Sequence, residues 1–173
     1  MHIRAATIAD LPGILEIEEV SFATPWSREI LERELQRMGG PQEGYTAVYL
    51  VAHEADRVLG YAGMWLCWGE AHILTLAVDP GLRRRGLGQA LLDAALRHVA
   101  EDGCHYATLE YRASNEAAAA LYAKFGFEVA GRRKGYYHET GEDAIIADLH
   151  DLQSQRVLDG LAALRREWEG KHG

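Results

Sequence analysis

Arg83, Arg84, Arg85, Gly86 and Gly88 stand in one run, Leu76-Ala77-Val78-Asp79-Pro80-Gly81-Leu82-Arg83-Arg84-Arg85-Gly86-Leu87-Gly88-Gln89. An apolar strand pattern stops at Asp79-Pro80, a basic turn follows, and Arg83-x-x-Gly86-x-Gly88 opens a helix. The layout collects guanidinium groups, backbone N–H groups that glycine leaves uncovered and the positive end of a helix. Together these suit a phosphate-bearing ligand. The plainer alternative is a solvated basic turn before an ordinary helix. A P-loop would end in Gly-Lys-Ser/Thr, whereas Gly88 is followed by Gln89-Ala90. Cys67 and Cys104 have no histidine in a recognised motif, so they are expected as small buried residues rather than nucleophiles or a disulfide. His98-x-x-Glu101 has no second pair to complete a metal site, and no metal is expected.

The elements that must position this run follow from periodicity. Ile3 to Ala6 reads as a first strand. Thr7-x-x-Asp10 resembles a capping box, with Asp in place of Glu, and opens a helix with Ile14, Ile17 and Val20 on its apolar stripe. Pro25-Trp26-Ser27 breaks the chain. Ser27 caps a second helix carrying Ile30, Leu31, Leu35 and Met38, which Gly39-Gly40-Pro41 ends. Tyr45 to His53, Val58 to Trp68 and His72 to Val78 form an antiparallel meander, with turns at Ala55-Asp56-Arg57 and Gly69-Glu70. A helix from Gly86 to Asp102 buries Leu87, Leu91, Leu92, Leu96 and Val99. A strand from Cys104 to Tyr111 follows, then an alanine-rich helix from Glu116 to Lys124 capped at Ser114-Asn115. Strands to about Arg132 and from Asp143 to Leu149 complete the order β-α-α-β-β-β-α-β-α-β-β. Val157, Leu161, Leu164 and Trp168 stand near helical spacing in the tail. They predict a helical extension over 151–173, beyond a domain at 1–150, that either packs on its own domain or docks a partner.

At 173 residues the chain is one domain's worth, and its apolar share of 48% is enough for a core. No apolar run approaches the roughly 20 residues of a membrane-spanning helix, and Met1-His2-Ile3-Arg4 runs into strand without an h-region. A cytoplasmic protein with no membrane partner is expected. The formal net charge of −8 argues against broad nucleic-acid binding and is compatible with a basic substrate.

The Arg-x-x-Gly-x-Gly turn between strand end and helix resembles the acyl-CoA site of the GNAT acetyltransferase family. More motifs extend the likeness: Leu109-Glu110-Tyr111-Arg112-Ala113-Ser114-Asn115, then Ala120-Leu121-Tyr122 and Phe125-Gly126-Phe127. Pro25-Trp26-Ser27 lies upstream; Tyr136-Tyr137 and Glu142-Asp143-Ala144-Ile145-Ile146 lie downstream. In that order they resemble the RimI type, the ribosomal-protein-alanine N-acetyltransferases, over residues 2 to about 149. Two departures stand out: Thr75, where family members often carry Asn, and a longer tail.

The resemblance implies an α/β (α+β) fold with a mixed, mostly antiparallel central sheet flanked by helices. It implies acetyl-CoA as cosubstrate and a peptide N-terminus, that of a ribosomal protein, as acceptor. Leu76, Ala77 and Val78 would offer a strand edge to the pantetheine arm, and Arg83, Arg84, Arg85, Gly86, Leu87, Gly88 and Gln89 would wrap the pyrophosphate. Asn115 would contact the cofactor, or serve only as a helix cap. Glu110 would be the base and Tyr122 the acid, with direct attack in a ternary complex. An amine must be neutral to attack. An α-amino group, with a reference pKa of about 7.7–8.0, is deprotonated more cheaply than a lysine at about 10.4. The leaving thiolate needs a proton, which a phenol can supply. Trp26, Tyr136 and Tyr137 would line the acceptor groove, or be ordinary loop aromatics. Glu139, Glu142 and Asp143 would give it a negative rim, or be a solvated acidic face. His72 and His138 are possible proton relays. The same fold acting on a small amine or another peptide is one alternative. An idle acyl-CoA-binding module whose tail engages a partner is another.

Overall fold

In the computed structural model, which describes residues 1–40 and 44–172, seven strands form one sheet in the order β1-β2-β3-β4-β5-β7-β6. The strands are β1 (His2–Ala5), β2 (Thr46–Glu54), β3 (Arg57–Cys67), β4 (Glu70–Val78), β5 (Tyr106–Arg112), β6 (Glu128–Tyr137) and β7 (Glu142–Leu149). The helices are α1 (Leu11–Ser21), α2 (Arg28–Gln36), α3 (Leu87–Glu101), α4 (Glu116–Lys124) and α5 (Gln155–His172). The order of elements follows the expectation from periodicity. Every neighbouring pair of strands is antiparallel except β4 and β5, which are joined through α3. That crossover is what a parallel pair requires.

Side-chain alternation sorts the two faces. Along β2, Ala47, Tyr49 and Val51 pack with Leu11, Ile14, Ile17, Leu31 and Leu35 of α1 and α2. Val48 and Leu50 face Leu92, Leu96 and Val99 of α3 on the other side. The hairpin tips are tight: Glu54 pairs with Arg57 across two residues, and Cys67 pairs with Glu70 across Trp68 and Gly69, both at positive φ.

Several boundaries move from the sequence reading, each for a local reason. Cys104 belongs to the exit of α3, not to β5. Gly103 sits at φ +84°, and the Cys104 N–H donates to the Val99 carbonyl at 2.9 Å. β6 runs on to Tyr137 because β7 keeps pairing with it past a bulge between Arg133 and Tyr137. Met38 lies beyond α2, bridged to Ala47. Of the stop at Gly39-Gly40-Pro41, Pro41 lies outside the described residues, as does Gly173 of the tail. Cys104 is buried as expected. Cys67 is only partly so, its thiol donating to the Gly44 carbonyl at 3.1 Å, and both are free thiols. No helix among the described residues is long and apolar enough to cross a membrane.

The tail packs on its own sheet. Leu152 and Leu161 are buried in the α3-side core, with Val157 and Leu164 against it. Arg165 of α5 reaches Asp93 of α3 at 3.6 Å, and Lys124 reaches Glu167 at 3.5 Å.

Two stability outcomes follow. Leu161→Ala should cost about 2–5 kcal/mol in urea denaturation, whereas a loosely attached tail would give almost no change. At the other end, Arg4 forks onto the Asp10 carboxylate at 2.7 and 2.8 Å, and the Thr7 N–H donates to it at 2.8 Å. The Arg4 bonds hold the Asp10 carboxyl below its ordinary 3.8. Because the folded value lies below the unfolded one, the stability this group contributes is present above pH 3.8 and lost as pH falls through the folded value. Asp10→Asn should therefore destabilise by about 1–2 kcal/mol at neutral pH and the difference should shrink in acid. A pH-independent loss counts against the ion pair.

Candidate active site

The site begins where β4 and β5 part. Their parallel pairing runs from Glu70↔Tyr106 to Ile73↔Leu109 and stops. Leu74 is a bulge: Met64 of β3 pairs with Ile73, and the next residue back, Gly63, pairs with Thr75. An extra residue bends a strand and ends its regular ladder. Beyond it, Thr75 to Val78 stay paired with β3, while β5 continues with β7 as far as Arg112↔Ala144. The β5-facing side of Leu76, Ala77 and Val78 is thus main chain without a strand partner. Peptide-like ligands use such an edge.

The turn after β4 is built tightly. The Asp79 carboxylate accepts the Gly81 N–H at 2.8 Å, and Arg84 and Gly86 take positive φ. Gly86 is the N-cap of α3 and makes no side-chain cap. The first helical bond is from the Ala90 N–H to the Gly86 carbonyl at 3.0 Å. The N–H groups of Leu87, Gly88 and Gln89 precede that bond, as the orphan donors of any helix start do. A Cβ on Gly88 would lie 3.7 Å from both Leu76 and Leu121. The protein's own packing therefore tolerates a side chain there, and glycine leaves open a slot between β4 and α4. Uncapped donors, an open slot and an unpaired edge together fit a peptide-like arm ending in phosphates.

Two residues of this run have other work than expected. Arg83 donates to the Val78 carbonyl at 3.3 Å and to the Ser21 hydroxyl at 3.1 Å, so its guanidinium ties the turn to β4 and α1. The Gln89 amide donates to the Leu164 carbonyl at 3.3 Å and accepts from Lys124 at 3.0 Å, which fixes α5 and α4 to the start of α3. Arg84 and Arg85 remain exposed.

Across the opening, β5 and α4 supply the ionisable groups. Glu110 is largely covered, 16% exposed, and its Oε1 lies 3.1 Å from the Arg133 guanidinium. His72 on the adjacent strand is pushed below its ordinary value by burial, with Glu110 pulling it up and Arg133 pushing it down. Tyr122 is buried beside Tyr111 and Phe127, at ring distances of 5.5 and 5.9 Å. Burial, with Tyr137 and Tyr111 nearby, pushes its phenol up to about 12, so it stays protonated at neutral pH. The Asn115 Oδ1 accepts the Ala118 N–H at 3.0 Å. The cap is real, and the amide NH2 group is left to face solvent.

The far wall joins the α1–α2 loop to the β6–β7 hairpin. The Thr24 hydroxyl donates to Glu139 at 3.4 Å. Trp26 packs against the α1–α2 core, its N–H donating to the Glu18 carboxylate at 2.9 Å. Tyr136, 44% exposed, stands edge-on to Tyr137, with centroids 5.2 Å apart. Of Glu139, Glu142 and Asp143, read as either a negative rim or a solvated acidic face, each is paired with an arginine. Arg112 pairs with Glu139 and, at 3.3 Å, with Glu142, and lies 3.8 Å over the Tyr137 ring. Asp143 pairs with Arg132 at 3.2 Å. These carboxylates are largely neutralised within the wall.

Arg112, Arg133 and Glu18 are the site residues that sequence reasoning missed. Arg133 reaches Glu110 across β7, Arg112 reaches the β6–β7 turn and the start of β7, and Glu18 reaches Tyr61 of β3, separations in sequence that no local spacing signals.

The Acetyltransferase (GNAT) family matches residues 11–127 of this chain. The [ribosomal protein bS18]-alanine N-acetyltransferase of Salmonella typhimurium is 37% identical over 149 residues, 85% of this chain and 95% of that protein. The crystal structure of the ribosomal-protein-S18-alanine N-acetyltransferase from Escherichia coli superposes with a TM-score of 0.74 at 34% identity, covering 87% of this chain and 93% of that one. Ard1 from Thermoplasma volcanium gives a TM-score of 0.75 at 26% identity, covering 86% and 96%. Parted strands, an uncapped glycine turn and this breadth of likeness lead to one assignment: the chain belongs to the GNAT family of acetyltransferases.

Proposed function

We propose that this acetyltransferase transfers the acetyl group of acetyl-CoA to the α-amine of a protein N-terminus, an N-terminal alanine of a ribosomal protein, by direct attack in a ternary complex. The observation that carries the reading is the opening between β4 and β5. It has an unpaired strand edge and uncapped helix on one side, and Glu110 with Tyr122 on the other. The names of the relatives from Salmonella typhimurium and Escherichia coli support the choice of acceptor.

Acetyl-CoA supplies an acyl group activated as a thioester. The chain's own residues do the rest. Main-chain groups of Leu76, Ala77 and Val78 align the pantetheine arm. The N–H groups of Leu87, Gly88 and Gln89, with Arg84 and Arg85, hold the pyrophosphate, and the Asn115 amide adds a contact beyond its cap. Glu110 takes a proton from the incoming ammonium, directly or through water. Only a modest base is needed, because an α-amine has a pKa of about 7.7–8.0. Arg133 occupies Glu110 before the acceptor arrives, so acceptor and guanidinium compete for one carboxylate. The Tyr122 hydroxyl, kept protonated by burial, donates to the departing sulfur. Trp26, Tyr136 and Tyr137 line the acceptor groove.

Tyr122→Phe keeps the packing and removes the proton. Its kcat should fall about 100-fold or more with coenzyme A affinity unchanged; retention of kcat would end this assignment. Replacing Gly86 and Gly88 together by valine strains a positive-φ cap and fills the slot, and calorimetry should show coenzyme A binding weakened about tenfold or more. Equal affinity would move the phosphates elsewhere. Thiol release with acetyl-CoA and a panel of N-terminal peptides, lysine peptides and polyamines tests the acceptor. Alanine-initiated peptides should lead, and a preference for polyamines overturns the acceptor choice.

A further inference from the structure

Glu18 is a carboxylate buried on α1, only 3% exposed, and neither of its recorded side-chain contacts is a cation. Burial raises its pKa above the ordinary carboxylate value, partly countered by the bond from Trp26. A buried carboxylate without a cation costs stability, and an apolar side chain of similar shape would cost less. Its contacts show what is gained instead. One oxygen accepts the Trp26 N–H at 2.9 Å, at the loop between α1 and α2. The other accepts the hydroxyl of Tyr61, a fully buried residue of β3. The Tyr61 oxygen in turn accepts the Thr75 hydroxyl at 3.3 Å. Thr75 is the residue after the Leu74 bulge, where β4 leaves β5 and the open edge begins.

One chain of hydrogen bonds therefore runs from the acceptor-side loop, through a helix and the sheet, to the start of the acyl-side edge. Each link crosses between elements: loop to α1, α1 to β3, β3 to β4. Tyr49 of β2 packs in the same layer, and Gly63 leaves room for its ring: a Cβ there would lie 2.4 Å from the Tyr49 ring. Tyr49 thus fills the space beside the chain, which leaves it little room to re-form elsewhere.

We propose that Glu18 is a positioning residue that holds the Trp26 loop in register with the β4 edge through Tyr61 and Thr75, and so sets where the acceptor amine lies relative to the acetyl group. The proposal rests on the reading of Trp26 as part of the acceptor wall. It concerns geometry between two half-sites; Glu18 itself touches neither substrate. In-line placement is worth large factors in rate, so a loosened loop should show as weaker acceptor use with the coenzyme A half intact.

The test compares Glu18→Leu, Glu18→Gln and Tyr61→Phe. It uses three measurements: amide hydrogen exchange at Trp26, calorimetric coenzyme A affinity, and acceptor KM with whichever amine the substrate panel identifies. That choice of amine keeps a wrong acceptor assignment from counting as a failure here. In Glu18→Leu, Trp26 exchange should accelerate and acceptor KM should rise about tenfold or more, with coenzyme A affinity within about twofold. Glu18→Gln should recover most of the KM, because its amide oxygen still accepts the Trp26 N–H. Faster Trp26 exchange with an unchanged acceptor KM overturns the proposal and leaves the acetyltransferase assignment standing. If Glu18→Leu does not fold, Tyr61→Phe decides. A raised acceptor KM at unchanged coenzyme A affinity supports the link through Tyr61, and an unchanged KM overturns it.

Discussion

The structure depends on a failure of pairing. A sheet gains by bonding every main-chain group, and β4 and β5 do so only as far as Ile73 and Leu109. The bulge at Leu74 and the allegiance of β5 to β7 then pull the strands apart. Unpaired backbone inside a domain costs free energy unless a partner arrives. Here the cost is placed where a peptide-like arm can lie, and the uncapped start of α3 stands at the end of the same strand. The opening is the result of that interruption in the ladder, and the start of α3, Glu110 and Tyr122 stand around it.

Around that opening the walls are fixed by charge. Arg112 gathers Glu139, Glu142 and the Tyr137 ring, and Arg133 holds Glu110. This wall is thereby organised by cations from β5 and β6. Glu139, Glu142, Asp143 and Glu110 each meet an arginine there, rather than standing as a bare negative rim or a solvated acidic face. Glu110 enters that arrangement as half of an ion pair with Arg133.

Much of this was legible in the chain. The order of elements, the glycine turn after an apolar strand, the Ser27 and Asn115 caps and the apolar faces of α1 and α3 follow from periodicity and local chemistry, except that Val20, read into the α1 stripe, lies 62% exposed near the end of that helix. The opening itself was not. Ile73, Leu76 and Val78 give the same aliphatic pattern in a fully paired strand as in a parted one. The pairing of Arg133 with Glu110 was hidden for another reason: β7 is inserted between β5 and β6, so contact there depends on strand order, and Arg112 meets Glu139 only because the β6–β7 turn folds back beside the end of β5. Gln89 shows the same limit. Its place beside the turn was clear, but its side chain bonds Leu164, 75 residues later.

That late helix bears on how the protein is made. Leu152 and Leu161 complete the apolar layer over α3, and Leu164 fixes the side chain at the start of that helix. During synthesis the earlier elements emerge with this layer uncovered. The first turn of α3 therefore gains its Leu164 partner only after the segment through that residue has been made.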